Sequence, residues 1–167
     1  MKEPALVIVK PDGISKGLIG NILTKFAYAD LEIIAIQIKK SARALVEDHY
    51  HHLRGKPFFR DLISYLMGTG YKHKKLLAII YYGEDAIKKC RKIAGATNPE
   101  EACPFSVRGS LGRVTTKGLF ENVVHVSSDA EEAEREIKLW FNPVDINRKI
   151  YSTKYELKKN HRERIWA

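Results

Sequence analysis

Apolar and polar positions along the chain fall into short segments that alternate between strand and helix periods. Ala5–Val9 (ALVIV) is an unbroken apolar run rich in β-branched residues, the pattern of a buried strand. It leads into Lys10-Pro11-Asp12-Gly13, which predicts a turn, because proline fixes φ and glycine admits a positive one. From Leu18 onward, Leu18, Ile19, Ile22, Leu23 and Phe26 recur at helical spacing. Leu31–Lys39 (LEIIAIQIK) returns to a period of two, with Ile34, Ile36 and Ile38 on one face. Ser41 is placed to cap a helix reaching Leu53, and Pro57 suits the first turn of another, Phe58–Leu66.

A glycine-containing basic loop, Gly68–Lys75, precedes a third strand at Leu76–Tyr82, and Gly83–Ile93 is helical in pattern. Gly95–Glu121 holds four Gly and two Pro with no sustained period, which predicts a long irregular loop, and such loops in compact domains are usually functional or disordered. Asn122–Val126 (NVVHV) reads as a short strand. Asp129, with Glu132 three residues on, resembles a capping box opening a helix that turns Ala133, Ile137 and Trp140 inward. The order β–α–β–α–α–β–α–loop–β–α predicts an α+β fold, a ferredoxin-like split βαβ four-stranded antiparallel sheet with helices packed on it.

A length of 167 residues with 44% apolar content is enough for one cored domain, here residues 1–142, followed by an extension at 143–167. Cys90 and Cys103 are too few for a disulfide framework and form no CxxC pair, so they read as inert thiols in a reducing, cytoplasmic setting. No apolar run approaches the length of a membrane span, and the N-terminus lacks a signal-peptide layout. The net charge of +9 favours anionic partners such as nucleotides, nucleic acid or acidic lipid. Residues 143–167 carry seven Lys/Arg against three acidic residues, so +4 of that charge belongs to the extension. Ile146, Ile150, Leu157 and Ile165 would be exposed in an isolated extension, which predicts that it packs on an oligomer.

Neither GxxxxGK[ST] nor GxGxxG occurs, so any phosphate must be held by side chains. Lys10 closes the first strand, Arg91 and Thr97 flank the entry to the long loop, Arg108 lies within it, and His125 ends the fourth strand. Cationic donors and a hydroxyl around a histidine suit phosphoryl transfer, whose transition state spreads charge over phosphate oxygens. Neutral imidazole near pH 7 can be the nucleophile.

The runs ALVIVKPDG, RGKPFF, AGATNP, VRG, NVVH and AEREIKLWF follow one another in the order, and near the spacing, of the nucleoside diphosphate kinase family. The chain resembles that family from about Ala5 to Phe141. The resemblance implies a ferredoxin-like core assembled as a homohexamer, or a tetramer as in some bacteria. It implies transfer of the γ-phosphate of a nucleoside triphosphate to a nucleoside diphosphate by a ping-pong route through a phosphohistidine. Substrates would include ATP, GTP, GDP, UDP, CDP and their deoxy forms, with Mg2+ carried by the nucleotide phosphates and no metal held by the protein. By matching position, His125 is the implied phosphate acceptor, Glu136 and Ser127 orient its ring, and Tyr50 packs nearby. Lys10 would reach the ribose and phosphates, Asn122 the sugar, and Arg91, Thr97 and Arg108 the phosphates, while Phe58 would stack on the base.

Two departures from the family pattern stand out. Val126 occupies the place of the glycine that usually follows the histidine, and the segments Tyr71–Lys75 and Arg108–His125 are longer than usual. The second lies in a loop that often makes subunit contacts.

Blander readings attach to the same residues. A lone histidine closing a strand is more often structural, Phe58 alone would be core, Arg91 a helix-end charge, and Glu136 a surface partner of Arg135 or Lys138. His49, His51 and His52 suggest a metal site, but no thiol or carboxylate partners stand beside them, so a solvated or partly packed helix face is the simpler reading. The alternative function is a catalytically inactive basic module that binds nucleotide or nucleic acid. It predicts steep salt dependence and aromatic residues on a sheet face, whereas the strands here are mainly aliphatic.

Overall fold

The computed structural model describes residues 1–158 and 161–167. In chain order its elements are β1 (Lys2–Val9), α1 (Pro11–Ser15), α2 (Ile19–Ala27), β2 (Glu32–Lys40), α3 (Arg43–His49) and α4 (Phe59–Leu66). There follow β3 (Lys75–Glu84), α5 (Ala86–Ala94), α6 (Val107–Leu111), β4 (Arg113–Val114), β5 (Phe120–Glu121) and β6 (Val124–Val126). The chain ends with α7 (Ala130–Trp140), β7 (Thr153–Lys158) and β8 (His161–Trp166). The main sheet is antiparallel in the order β2-β3-β1-β6, the ferredoxin-like arrangement expected from the element order. No helix among the described residues is long and apolar enough to cross a membrane.

The unbroken apolar run of β1 is explained by its place between β3 and β6 with helices on both sides of the sheet. Ala5, Val7 and Val9 enter one core with Ile22 and Phe26 of α2 and Ile87 and Cys90 of α5. Leu6 and Ile8 enter the other with Val46 of α3, Ile63 and Leu66 of α4, and Ile137 and Trp140 of α7. A strand buried on both faces has no polar alternation to keep.

Several local expectations are corrected. Lys10–Gly13 is not a turn: Lys10 stays extended and Pro11, which needs no amide partner, opens the short helix α1. In β2 the pairing with β3 shifts between Ile33 and Ala35, a bulge that buries Ile34 and Ala35 side by side and leaves Ile36 and Ile38 exposed. The uniform Ile34/Ile36/Ile38 face is thereby lost. Ser41 caps nothing: α3 starts after Ala42 and stops at His49, and a 3-10 turn over His51–Leu53 follows. The segment Gly95–Glu121 contains α6, capped by the Ser106 hydroxyl, and the small β4/β5 hairpin. At α7 the Asp129 carboxylate does accept the Glu132 amide, as the capping pattern predicts.

The extension is a β7/β8 hairpin on the same side of the sheet as α7. Ile146 is buried within its own chain, Ile150, Tyr151 and Trp166 pack on the same core, and the Trp166 indole donates to the Phe141 carbonyl at 2.8 Å. Intrachain packing thus covers part of what was expected to need a neighbour, while Tyr155 and Leu157 remain exposed.

Candidate active site

The site lies where β1 ends beside the start of β6. The Lys10 amide donates to the Val123 carbonyl at 2.8 Å, and the Val123 amide donates to Asp12 Oδ2 at 3.2 Å. The Val124 amide reaches back to the Asn122 carbonyl at 2.6 Å, closing a three-residue turn around Val123 at φ +56°. A β-branched residue with positive φ is strained by sterics, and such strain persists only where the surroundings over-determine it.

One turn of strand further on, His125 Nε2 lies 2.8 Å from Glu136 Oε1, while the Ser127 hydroxyl donates to Glu136 Oε2 at 2.6 Å. Ser127 is itself fixed by the Leu6 amide of β1, at 3.3 Å from its oxygen. Glu136 therefore accepts from two donors, as a carboxylate does, and the His125 proton belongs on Nε2. The Nδ1 lone pair is left uncommitted. Burial, aided by Lys10 and Arg108, lowers the His125 pKa well below the usual imidazole value, so the ring is neutral near pH 7. Burial pushes the Glu136 carboxyl up, opposed by His49 and by the Ser127 hydrogen bond. The Tyr50 ring meets His125 edge-on at 5.8 Å.

In front of His125 opens a cleft of about 700 Å³ lined by Lys10, Tyr50, Phe58, Arg91, Thr97, Arg108, Asn122 and Glu136. All of the sequence-predicted residues thus converge there except Ser127, which stands behind Glu136. Lys10 Nζ donates to Asn122 Oδ1 at 2.6 Å, and Asn122 Nδ2 donates to the Thr97 carbonyl at 2.8 Å. Arg108 is anchored through the Gly95 carbonyl at 2.8 Å and the Val124 carbonyl at 3.1 Å. Gly95 is required at this anchor: its φ is +85°, and a Cβ there would sit 2.2 Å from the Ser106 hydroxyl. Phe58, at the start of α4, is 52% exposed with its ring on the cleft wall, which a core role would not allow.

Lys10 is 5% exposed, and burial, together with Arg108, lowers its pKa to about 7 from 10.5, with Asp12 opposing. Between those values the unfolded chain binds more protons than the folded one, so this residue makes stability rise with pH across that window. Below about 7 its burial penalty is present in full. A Lys10→Met variant should therefore melt higher than the parent near neutrality, by about 2–4 °C for each kcal/mol relieved. That advantage should shrink as calorimetry is repeated toward about pH 9.5. An unchanged difference across pH would show that Lys10 is not held against its charge.

Sequence reasoning missed Leu62, Leu119, Phe120 and His52 on the cleft wall, and Asp12 and His49 beneath it. The histidine run was read as a solvated or partly packed face; His51 and His52 are exposed, whereas His49 is 1% exposed. The spacing of Val46 and His49, both buried on α3, was the available signal. His49, His125 and Glu136 bring ligand atoms within 4.8 Å of one another. His49 would offer a cation no free pair, and His125 would offer one only on Nδ1. The Trp140 indole donates to His49 Nδ1 at 3.0 Å, which puts the His49 proton on Nε2, and His125 Nε2 donates to Glu136.

The family model described as Nucleoside diphosphate kinase matches residues 3–146. A nucleoside diphosphate kinase of Neurospora crassa is 38% identical over 146 residues, covering 87% of this chain and 90% of that protein. Its counterpart in Pyrococcus horikoshii is 39% identical over 144 residues, covering 86% of this chain and 88% of the relative. Among solved structures, the chain is similar to a Halobacterium salinarum nucleoside diphosphate kinase in complex with CDP, with a TM-score of 0.79 and 32% identity over 89% of this chain and 93% of that one. It is also similar to a Borrelia burgdorferi nucleoside-diphosphate kinase with bound vanadate and ADP, described as a transition state mimic, with a TM-score of 0.78 and 28% identity over 89% of this chain and 92% of that one. With the family matched across nearly the whole sheet-and-helix domain, the chain belongs to the nucleoside diphosphate kinase family.

Proposed function

We propose that this chain moves the γ-phosphate of a nucleoside triphosphate onto a nucleoside diphosphate in two steps through His125. The observation that carries the proposal is the neutral His125 ring, its proton held on Nε2 by Glu136 and its Nδ1 lone pair free beside a cationic cleft. In the first step Nδ1 attacks the γ-phosphorus, the bond to the bridging oxygen breaks, and the nucleoside diphosphate leaves with that electron pair. The ring becomes cationic, and Glu136 stabilises it without moving a proton. In the second step a terminal oxygen of the incoming diphosphate attacks phosphorus and the N–P bond breaks, restoring the neutral ring.

Lys10, Arg91 and Arg108 neutralise the phosphate oxygens, with Thr97 beside them. Asn122 and Lys10 take the sugar, and Phe58 offers a ring on which any base can stack, so ATP, GTP, GDP, UDP, CDP and deoxy forms all fit one site. The two carboxylates on the cleft, Glu132 and Glu136, are held by Arg135 and by His125 with Ser127, so Mg2+ would arrive on the nucleotide's phosphates as part of the substrate. The test is incubation with γ-labelled ATP and magnesium. The protein should gain an acid-labile, base-stable phosphate that added GDP removes. Folded protein that stays unlabelled would overturn the reading in favour of a non-catalytic binder. Both faces of the sheet are covered by helices, which leaves that alternative no stacking platform on the strands.

The same proposal extends to assembly and location: a homohexamer in the cytoplasm. Ile33, Ile36 and Ile38 are exposed along β2, which is an edge strand, and Tyr28 beside it is 85% exposed. An apolar open edge of this kind is a surface proteins cover. We assign the 143–167 extension to the same assembly, through Tyr155 and Leu157 on its hairpin. Truncation after Asn142 should lower the melting temperature, because Trp140 and Phe141 lose their cover, and should also reduce the mass measured by light scattering. Truncation after Ser152 keeps Ile146 and Ile150 and should reduce the mass with a smaller thermal effect. An unchanged mass in both would remove the extension from the interface.

A further inference from the structure

His49 ends α3 in full burial, yet it touches neither cleft nor solvent. Its ring stands nearly perpendicular to that of His125, with centroids 4.3 Å apart. Three residues of α7 hold it. Arg135 donates to the Asp48 and His49 carbonyls at 3.2 and 2.9 Å, fixing the end of α3. Trp140, 1% exposed and one helical turn beyond Glu136, donates its indole N–H to His49 Nδ1 at 3.0 Å. Glu136 Oε1 lies 3.6 Å from His49 Nε2, which has no hydrogen-bond partner among the described residues.

The indole settles the tautomer. A nitrogen that accepts a hydrogen bond carries no proton, so His49 is neutral with its proton on Nε2. At 3.6 Å that N–H is beyond hydrogen-bond range of Glu136, but its dipole points toward the carboxylate in a site of low dielectric. A histidine kept only as filler would leave this buried donor unanswered at a cost an apolar side chain avoids. The carboxylate that tolerates it is the one that orients His125.

We propose that His49, locked by Trp140, is a positioning residue that holds Glu136 in place and through it keeps the His125 proton on Nε2, so that Nδ1 is the atom presented to phosphorus. The proposal rests on the phosphotransfer reading above. The charged and titratable groups around His49 are His125, Glu136, Arg135 and Lys10, with Tyr50 in edge contact. Of these, Glu136 is the one that the neutral His49 faces with its N–H dipole, which favours the carboxylate form. Without His49, the carboxyl should take up a proton at a higher pH.

The test compares the full chain with its His49→Leu, His49→Gln and Trp140→Phe variants, each checked for folding by thermal melting. Two readouts are used: the rate of phosphate uptake from ATP across pH by rapid quench, and the His125 tautomer in unphosphorylated protein by nitrogen-15 NMR. His49→Leu should slow uptake about tenfold to a hundredfold, by analogy with the loss of partners that orient metal-bound histidines. The acid limb of its pH profile should move up, and its His125 tautomers should become mixed. His49→Gln, whose amide can accept from Trp140 and face Glu136 with a donor, should stay within about threefold of the parent. Trp140→Phe frees the tautomer of His49 and should shift the acid limb the same way, which keeps the test available if His49→Leu does not fold. A folded His49→Leu or Trp140→Phe variant with the parental tautomer and pH profile overturns the proposal. If the parent itself takes up no phosphate, the phosphotransfer reading fails, and the tautomer measurement still decides the role of His49.

Discussion

A His125→Ala variant is expected to take up no phosphate from γ-labelled ATP and to lose nucleoside diphosphate kinase turnover altogether, while keeping its fold. The covalent route has no substitute, because among the described residues no other histidine borders the cleft with a hydrogen bond to a carboxylate that fixes its proton. His52 also lines the cleft, but no hydrogen bond to a carboxylate orders its ring. The fold should survive because the His125 side chain is only a part of the cleft floor, and the β1/β6 pairing beneath it is made by backbone. The cost to stability falls on Glu136, which loses one of its two donors. Leaving one buried acceptor short typically costs about 1–3 kcal/mol, less if the carboxyl takes up a proton. Labelling, turnover and calorimetry on one preparation separate these effects. Retained labelling in the variant would move the phosphate to another residue.

Loss of Arg108 should be the next largest effect, about 10²–10³ in rate, as for other preorganised donors to a developing anion. The arginine does two jobs at once. Its guanidinium lines the cleft, where the proposed function puts the phosphates, and it ties the Gly95 carbonyl after α5 to the Val124 carbonyl of β6. Arg108→Ala should therefore also melt lower, since two part-buried carbonyls lose a charged donor. Arg108→Lys keeps the charge and should recover little, because an ammonium cannot span both carbonyls and still face the phosphates. Steady-state kinetics beside melting curves decide the matter. Wild-type turnover in a folded Arg108→Ala protein would remove the residue from the phosphate clamp.

Legibility in the sequence followed how local each determinant is. The strand β1 could be read because both of its faces are apolar, and α7 because the Asp129 cap and its inward stripe lie within a few residues of one another. The phase of β2 could not be read, since the bulge at Ile34 is imposed by pairing with β3. The helix α1 was hidden in what looks like turn chemistry. Proline and glycine are read by their dihedral preferences, and those also suit a one-turn helix opened by Pro11.

Lys10 and His125 stood out by their places at strand ends, and Glu136 and Asn122 came from motif order, whereas neither signal pointed to His49. His49 acts through Trp140 and Glu136, two residues of a helix about ninety positions away. The extension shows the same limit. Ile146 has its partners across the sheet, and nothing in the neighbouring residues announces them.

The strained Val123 has a consequence for how the site measures its substrate. On a regular strand, residues three apart have opposite parity and face opposite sides of the sheet. Asn122 and His125 are three apart and line the same cleft. The tight turn at Val123 supplies the missing half-period, and Lys10 and Asp12 pin it from both sides of the peptide. In the function proposed above, with Asn122 on the sugar and His125 on the phosphorus, the span from ribose to transferable phosphate would be ruled off by one residue's dihedral angles. The backbone would then act as a gauge for triphosphate length, indifferent to the base at the far end.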